Sequence, residues 1–246
     1  MHPAAAASFS TRLGGVSEGP WSSLNLGLHV GDEAAAVQEN RRRWLEALGR
    51  PAQSVLWLRQ AHGAEVAVAG GAHGRPEAPP EADAAVTADA GVTLAVLVAD
   101  CAPVYLVDPE ARVAALAHAG WRGTAARIAA RAAGVMAGRF GARPERMRAW
   151  IGPHIRECCY EVDAPVIDRF REAFGAAADA FLRPARPGHA RLSLAGAIRR
   201  ALAEAGVPPA HVGESPECTG CRLDLFYSHR KEGGRTGRMA AALWLR

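Results

Sequence analysis

The chain has 246 residues, 49% of them hydrophobic and 22% charged, with a formal net charge of +4 and a pI near 9.0. That length buries a substantial core and suits one large domain or two small ones, and the composition is that of an ordinary globular protein. Lys231 is the only lysine, and the arginines are dispersed apart from Arg41-Arg42-Arg43 and Arg199-Arg200; this argues against nucleic acid as a partner and leaves a small anionic substrate open.

In chain order, residues 10–32 are rich in Gly, Ser and Asn with Leu and Val between them. They read either as a solvated arm or as turning loops whose backbone approaches something closely. Asp32 is expected to cap a helix carrying the apolar stripe Ala36, Val37, Trp44, Leu45 and Leu48, ended by Gly49-Arg50-Pro51. Strands are predicted over 54–58 and 65–69, then an exposed Gly/Pro-rich loop over 70–80. Further strands are predicted over 83–87, 93–98 and 104–107, with 112–117 pairing back as a hairpin through the turn Asp108-Pro109-Glu110. A helix over 124–138 and a strand over 147–151 follow, then a polar-aromatic segment, 152–160, and helices over 163–174 and 193–205. Strands over 224–228 and 239–245 close the pattern. No repeat or composition break divides the chain, so residues 1–246 read as one domain of mixed α and β character.

Three residues stand out chemically. His62 lies in Gln60-Ala61-His62-Gly63, Cys101 in Asp100-Cys101-Ala102-Pro103, and His118 opens His118-Ala119-Gly120-Trp121-Arg122-Gly123, each at a strand end beside small residues. Two imidazoles and a thiolate suit a zinc ion with an open fourth position, and their softness favours zinc or copper over magnesium or calcium. The same residues also allow Cys101 as a nucleophile with a histidine as its base. A third reading makes Cys101 a small buried apolar residue and His118 a structural one. Arg12, in the glycine-rich segment, and Arg122, at a helix start, are candidates for binding phosphate or carboxylate.

The cysteines number five, in a chain too long to need disulfide staples. Cys218-Thr219-Gly220-Cys221 has ligand spacing, but a structural zinc needs a second pair, and adjacent Cys158-Cys159 is poor geometry for two ligands on one ion. A four-cysteine site is therefore not expected. No signal peptide is evident in residues 1–8 and no apolar run is long enough to span a bilayer. The expectation is a cytoplasmic protein with reduced thiols and no membrane partner.

The motifs also fit together as a series. Ser10-Thr11-Arg12, Gly14-Gly15-Val16-Ser17, Ser23-Leu24-Asn25-Leu26-Gly27, His29-Val30-Gly31-Asp32, the three segments around His62, Cys101 and His118, Ile151-Gly152-Pro153, Cys159-Tyr160-Glu161-Val162 and Thr236-Gly237-Arg238-Met239 run in order over nearly the whole chain. This series resembles the laccase-domain family, long called multicopper polyphenol oxidases and now described as purine nucleoside phosphorylases. The resemblance implies an α+β fold, a single domain with mixed β-sheets flanked by helices. It also implies a zinc site on His62, Cys101 and His118, and phosphorolysis of adenosine, inosine, guanosine and methylthioadenosine with some adenosine deamination.

The expected partners are thus a purine nucleoside and phosphate, with Asn25 and His29 as further candidate substrate contacts and Asp100 as a candidate proton donor by adjacency. The chain carries Ser228-His229-Arg230-Lys231 where the family more often has arginines, and Cys221 is an addition. Three alternatives stay open: a cysteine hydrolase using Cys101 and His118, such as an editor of cell-wall precursors, a non-catalytic metal-binding or partner-binding protein whose zinc is structural, and a copper-dependent polyphenol oxidase. The last sits poorly with nine histidines and no His-x-His pair.

Overall fold

Apolar runs buried along their whole length build the interior of the computed structural model, which describes residues 3–70 and 78–246. The first strands and helix are β1 (Ala5–Phe9), α1 (Ala34–Leu48), β2 (Val55–Leu56), β3 (Val66–Ala69) and β4 (Ala84–Thr87). The central part comprises β5 (Thr93–Val98), β6 (Ala102–Asp108), β7 (Val113–Ala119), α2 (Trp121–Ala125), α3 (Ile128–Phe140) and β8 (Arg148–Ile151). The last part comprises β9 (Glu161–Asp163), α4 (Ala164–Phe174), β10 (Leu182–Pro184), β11 (His189–Leu192), α5 (Leu194–Glu204), β12 (Val212–Glu214) and β13 (Met239–Leu245).

Two mixed sheets, ordered β1-β13-β5-β2 and β12-β8-β6-β7-β4-β3, pack face to face, and a small antiparallel sheet, β10-β11-β9, stands beside them. Alternation along each strand assigns the faces. Leu94, Val96 and Val98 of β5 meet Tyr105 and Val107 of β6 and Leu116 of β7 between the two large sheets. Val104 and Leu106 point the other way, onto Ile128 and Met136 of α3 and Ile198 of α5. Ala95 and Leu97 face Trp44 and Leu45 of α1 on the outer side of the four-stranded sheet. The result is the α+β architecture of mixed sheets flanked by helices.

The six-stranded sheet gathers chemistry at one end. β3 and β4 are parallel, β4, β6 and β8 each run antiparallel to a neighbour, and β12 is parallel to β8. The starts of β3, β4 and β6 and the ends of β7, β8 and β12 therefore lie along the same edge.

The glycine-rich residues 10–32 prove to be packed rather than a solvated arm. Asn40 of α1 is fully buried and clamps them: its Nδ2 donates to Ser17 Oγ, Ser23 O and Asn25 O, and its Oδ1 accepts from Val16 N. A Cβ on Gly15 would fall 2.1 Å from Ser23 O, so only glycine permits this approach. The hairpin over β6 and β7 forms as expected.

Other expectations need correction. Asp32 does not cap α1, whose N-cap is Glu33 without a side-chain bond; Asp32 Oδ2 instead accepts from Ser17 Oγ and Asn25 Nδ2. The helix over 124–138 is broken in two, because Arg127 takes a left-handed φ of 62° while its guanidinium pairs with Glu204 and bonds Ala173 O. Residues 224–228 form no strand: 224–225 lie in a turn and 226–228 are irregular, with Leu225 N and Phe226 N both bonded to Arg222 O. Of the loop expected over 70–80, residues 71–77 lie outside those described. Among the described residues no helix is long and apolar enough to cross a membrane.

Asn40→Ala should lower unfolding free energy by about 3 kcal/mol, since it orphans the buried amide of Val16 and the carbonyls of Ser23 and Asn25. The urea midpoint measures this, and an unchanged midpoint would mean that the clamp contributes nothing.

Candidate active site

His62, Cys101 and His118 come together at that sheet edge, their ligand atoms all within 4.8 Å of one another. Each arrives by a different local device. Gln60 exchanges two hydrogen bonds with the backbone of Leu97 in β5, fastening the start of the His62 turn. His62 itself adopts a left-handed φ of 57°, which lets three successive amides, of Ala61, His62 and Gly63, donate to the Asp83 carboxylate at 3.2, 3.0 and 2.6 Å. Cys101 sits in the short link from β5 to β6, where the chain crosses from one large sheet to the other. His118 lies at the end of β7, opposite Pro103 of β6.

Asp83, at the entrance to β4, joins two of the three. It is 1% exposed, and besides the His62 turn it accepts from His118 Nδ1 at 2.8 Å, while its carbonyl accepts from His118 N at 2.7 Å. With Nδ1 committed to Asp83, His118 presents Nε2 to Cys101 and His62. Burial opposes the Asp83 charge, but the bonds from His118 and the Gly63 amide hold its carboxyl below the ordinary range.

Glycine clears the space beside Cys101 and His62. A Cβ on Gly120 would fall 2.9 Å from Cys101 Sγ and 3.6 Å from His62 Cδ2, and one on Gly123 would fall 3.0 Å from Gly63 O. The spacing of the two glycines thus brings the start of α2 against both the sulfur and the His62 turn. Burial resists ionisation of Cys101, yet the His118 charge and hydrogen bonds from both imidazoles bring its thiol down to about 6. Burial likewise resists the His118 charge, while the Cys101 sulfur and Asp83 raise it to about 9.

His62, Cys101 and His118 form the floor of a cavity of about 910 Å³, lined among others by His29, Arg41, Trp57, Trp121, Arg122, Tyr160, His229, Arg230 and Arg238. Of the expected substrate contacts, His29 and Arg122 line this cavity; Arg12 and Asn25 do not. Arg12 stacks on Tyr227, pairs with Glu232 at 3.1 Å and donates to Ser22 O and Leu223 O. Asn25 is fully buried and holds Asp32, Gly27 and the Arg238 amide. Asp100 does line the cavity, but its two oxygens already accept from Thr219 Oγ1 at 2.6 Å and Arg230 N at 2.7 Å.

Sequence reasoning missed Asp83, Arg41 and Arg238. An acidic residue opening an otherwise apolar strand, Asp83-Ala84-Ala85-Val86, was the available signal for the first. Nothing marked Arg41, which sits in a run of three helix arginines yet stacks on Trp57 at 4.0 Å, and burial lowers its guanidinium to about 10. Burial also lowers Arg238. Burial pushes His29 and His229 below their ordinary range, and the Arg238 charge adds to it in both.

The four remaining cysteines correct another expectation. Cys158, Cys159, Cys218 and Cys221 also converge, with all four sulfurs within 4.8 Å of one another.

A family model described as multi-copper polyphenol oxidoreductase laccase matches residues 6–246. The chain belongs to this family. It is 42% identical to purine nucleoside phosphorylase YlmD of Geobacillus stearothermophilus, over 96% of this chain and 89% of that protein. It is 44% identical to a purine nucleoside phosphorylase of Deinococcus radiodurans, over 96% and 88% respectively. A protein named adenosine deaminase RL5, from an unknown prokaryotic organism, is 36% identical over 96% of this chain and 92% of its own length. The crystal structure of YlmD from G. stearothermophilus superposes with a TM-score of 0.93 at 41% identity, covering 99% of this chain and 93% of that one.

Asp83→Asn should weaken metal binding at His62, Cys101 and His118 by about 10–100-fold, because it removes the charge that orients the His118 ring. Competition against a chelator of known affinity measures the change; unaltered affinity would show that Asp83 serves folding alone.

Proposed function

We propose that this chain is a zinc-dependent purine nucleoside phosphorylase, converting adenosine, inosine, guanosine or methylthioadenosine and phosphate into the free base and the pentose 1-phosphate, with adenosine deamination as a second activity. The observation that carries this reading is one cavity with an imidazole–thiolate–imidazole floor and walls of arginine and aromatic rings. The names of its relatives agree with it.

The residues fit zinc on their own chemistry. The donor set is two nitrogens and a sulfur, too soft for magnesium or calcium. His118 is held with Nε2 inward by Asp83, and Gly120 leaves the face of the Cys101 sulfur open. When bound, zinc supplies a Lewis acid that polarises an oxygen ligand and offsets negative charge as it develops.

The rest belongs to the chain. Arg41, Arg122, Arg230 and Arg238 bring guanidinium groups to the cavity, and such groups bind phosphate oxygens in pairs. Arg41 and Arg238 are poorly solvated, so an incoming phosphate meets charge that water has not already satisfied. Trp57, Trp121 and Tyr160 offer flat apolar surface for a purine. Their rings are each backed by an arginine, at 4.0, 4.3 and 4.9 Å. His29 and His229, kept neutral near pH 7 by burial and by Arg238, offer one donor and one acceptor each to base or sugar. Asp100 acts as an anchor rather than a proton donor, holding the Thr219 and Arg230 segments against the cavity.

One observation favours a second reading, a cysteine hydrolase. Without metal, the depressed Cys101 thiol beside the raised His118 is a thiolate–imidazolium pair. Copper oxidase chemistry has less support: among the described residues, only two groups of three or more possible ligands occur, and one contains cysteine alone.

Purified protein with inosine should release hypoxanthine and ribose 1-phosphate only when phosphate is present. His62→Ala, Cys101→Ala or chelation should cut the rate by about 10²–10³-fold, the equivalent of several kcal/mol of lost electrostatic stabilisation. Arg238→Ala should raise KM for phosphate about tenfold or more. Full phosphorolysis by metal-free protein would sink the zinc reading; no phosphorolysis, with hydrolysis of an amide or ester that iodoacetamide at Cys101 abolishes, would leave the hydrolase.

Iodoacetamide also reads occupancy directly. Cys101 should resist alkylation in zinc-loaded protein and react after chelation; equal reactivity in both states would argue that Cys101 is no ligand.

A further inference from the structure

The strands explain why the other four cysteines meet. β8 and β12 are parallel neighbours, with Ile151 beside Glu214, so the segments leaving them emerge together. Cys158 and Cys159 follow β8, Cys218 and Cys221 follow β12, and a bridge from His154 to Cys218 continues the pairing between the two segments.

Local turns then aim the sulfurs inward. Cys221 N and Arg222 N both donate to Cys218 O at 3.1 Å, closing a tight turn over Cys218-Thr219-Gly220-Cys221. Arg156 N donates to Cys218 Sγ at 3.4 Å, a bond suited to an anionic sulfur. Cys159 N donates to Arg156 O at 2.9 Å, so Cys158 and Cys159 lie in a turn, not on an extended strand that would point neighbours apart. Gly220 is obligatory in this arrangement, because a Cβ there would fall 2.9 Å from Cys159 Cβ and 3.2 Å from Cys159 Sγ.

Distances decide between a disulfide and a metal. Cys221 Sγ lies 3.6 Å from Cys158 Sγ and 3.4 Å from Cys159 Sγ. A disulfide needs about 2.05 Å. Four sulfurs at about 2.3 Å around a tetrahedral zinc stand about 3.8 Å apart, close to what is found. We propose that Cys158, Cys159, Cys218 and Cys221 bind one structural zinc ion, a centre separate from His62, Cys101 and His118.

Its position gives it a task. One half of the quartet precedes Tyr160 of the cavity wall, and the other flanks Thr219, which holds Asp100 next to Cys101. Arg191 braces the first half through Cys158 O at 2.6 Å, and the stem of Lys231 lies beside Gly220, where cations offset the charge of four thiolates. A zinc ion there staples together two segments that build one wall of the cavity, in a protein whose other metal group lies on the floor.

Untagged protein purified under reducing conditions tests this by elemental analysis. H62A/C101A, which retains the quartet alone, should hold about one zinc per chain. Loaded with cobalt(II), it should show the thiolate charge-transfer and tetrahedral d–d absorption of an S₄ site. C218S/C221S should lose one zinc equivalent relative to the parent, and should lose that cobalt spectrum. If C218S/C221S does not fold, H62A/C101A still decides. Less than a tenth of an equivalent of zinc in H62A/C101A would overturn the proposal. So would iron in place of zinc, a Cys221 disulfide in peptides mapped without reductant, or unchanged zinc in C218S/C221S.

Discussion

One buried carboxylate organises the active end of this fold. Asp83 sits 1% exposed and accepts from three amides of the His62 turn and from His118 Nδ1. A charge so deeply buried is tolerable only when hydrogen bonds replace its water, and here the replacements are the backbone of one candidate ligand and the ring of another. The positive φ at His62 has the same origin, since an ordinary turn would not aim successive amides at one group.

The sheets supply the third candidate ligand. Cys101 lies where the chain leaves the four-stranded sheet for the six-stranded one, so its place depends on the packing of both. Asp100, at a left-handed φ of 85°, makes that crossing tight and ties it to Thr219 and Arg230. Asp100 thus links the Cys101 segment to the Thr219 turn of the cysteine quartet and to Arg230 of the cavity wall. Thr219, inside the 218–221 turn, is tied by its Oγ1 to Asp100, the neighbour of Cys101, and by its amide to His154 O.

Electrostatics divides the arginines by burial rather than by neighbourhood in sequence. Arg12 stands in a segment that looks poised for an anion, yet its charge is spent on Glu232, Tyr227 and two carbonyls. Arg41 belongs to a helix run that looks like a solvated face, yet it turns inward over Trp57 and enters the cavity. Its neighbours Arg42 and Arg43 do pair on the surface with Glu39, as such runs usually do.

Some of this was legible in the residues themselves. The placement of Cys101 and His118 at strand ends, the β6–β7 hairpin and the apolar central strands are set by local pattern, whereas His62 lies in a turn between β2 and β3. Membership of the family was legible too, because its motifs span the chain. Tertiary structure alone decided what depends on distant partners: Asp83 as the tie between the His62 turn and His118, Asn25 and Arg12 as framework, Arg41 and Arg238 as cavity groups, and the break at Arg127. The quartet shows why. Adjacency makes Cys158-Cys159 look unfit as a pair of ligands, but the parallel pairing of β8 with β12 carries them to Cys218 and Cys221, and a turn rotates both sulfurs inward. Spacing along a chain measures local reach; which strand lies beside which is settled by burial of the whole core.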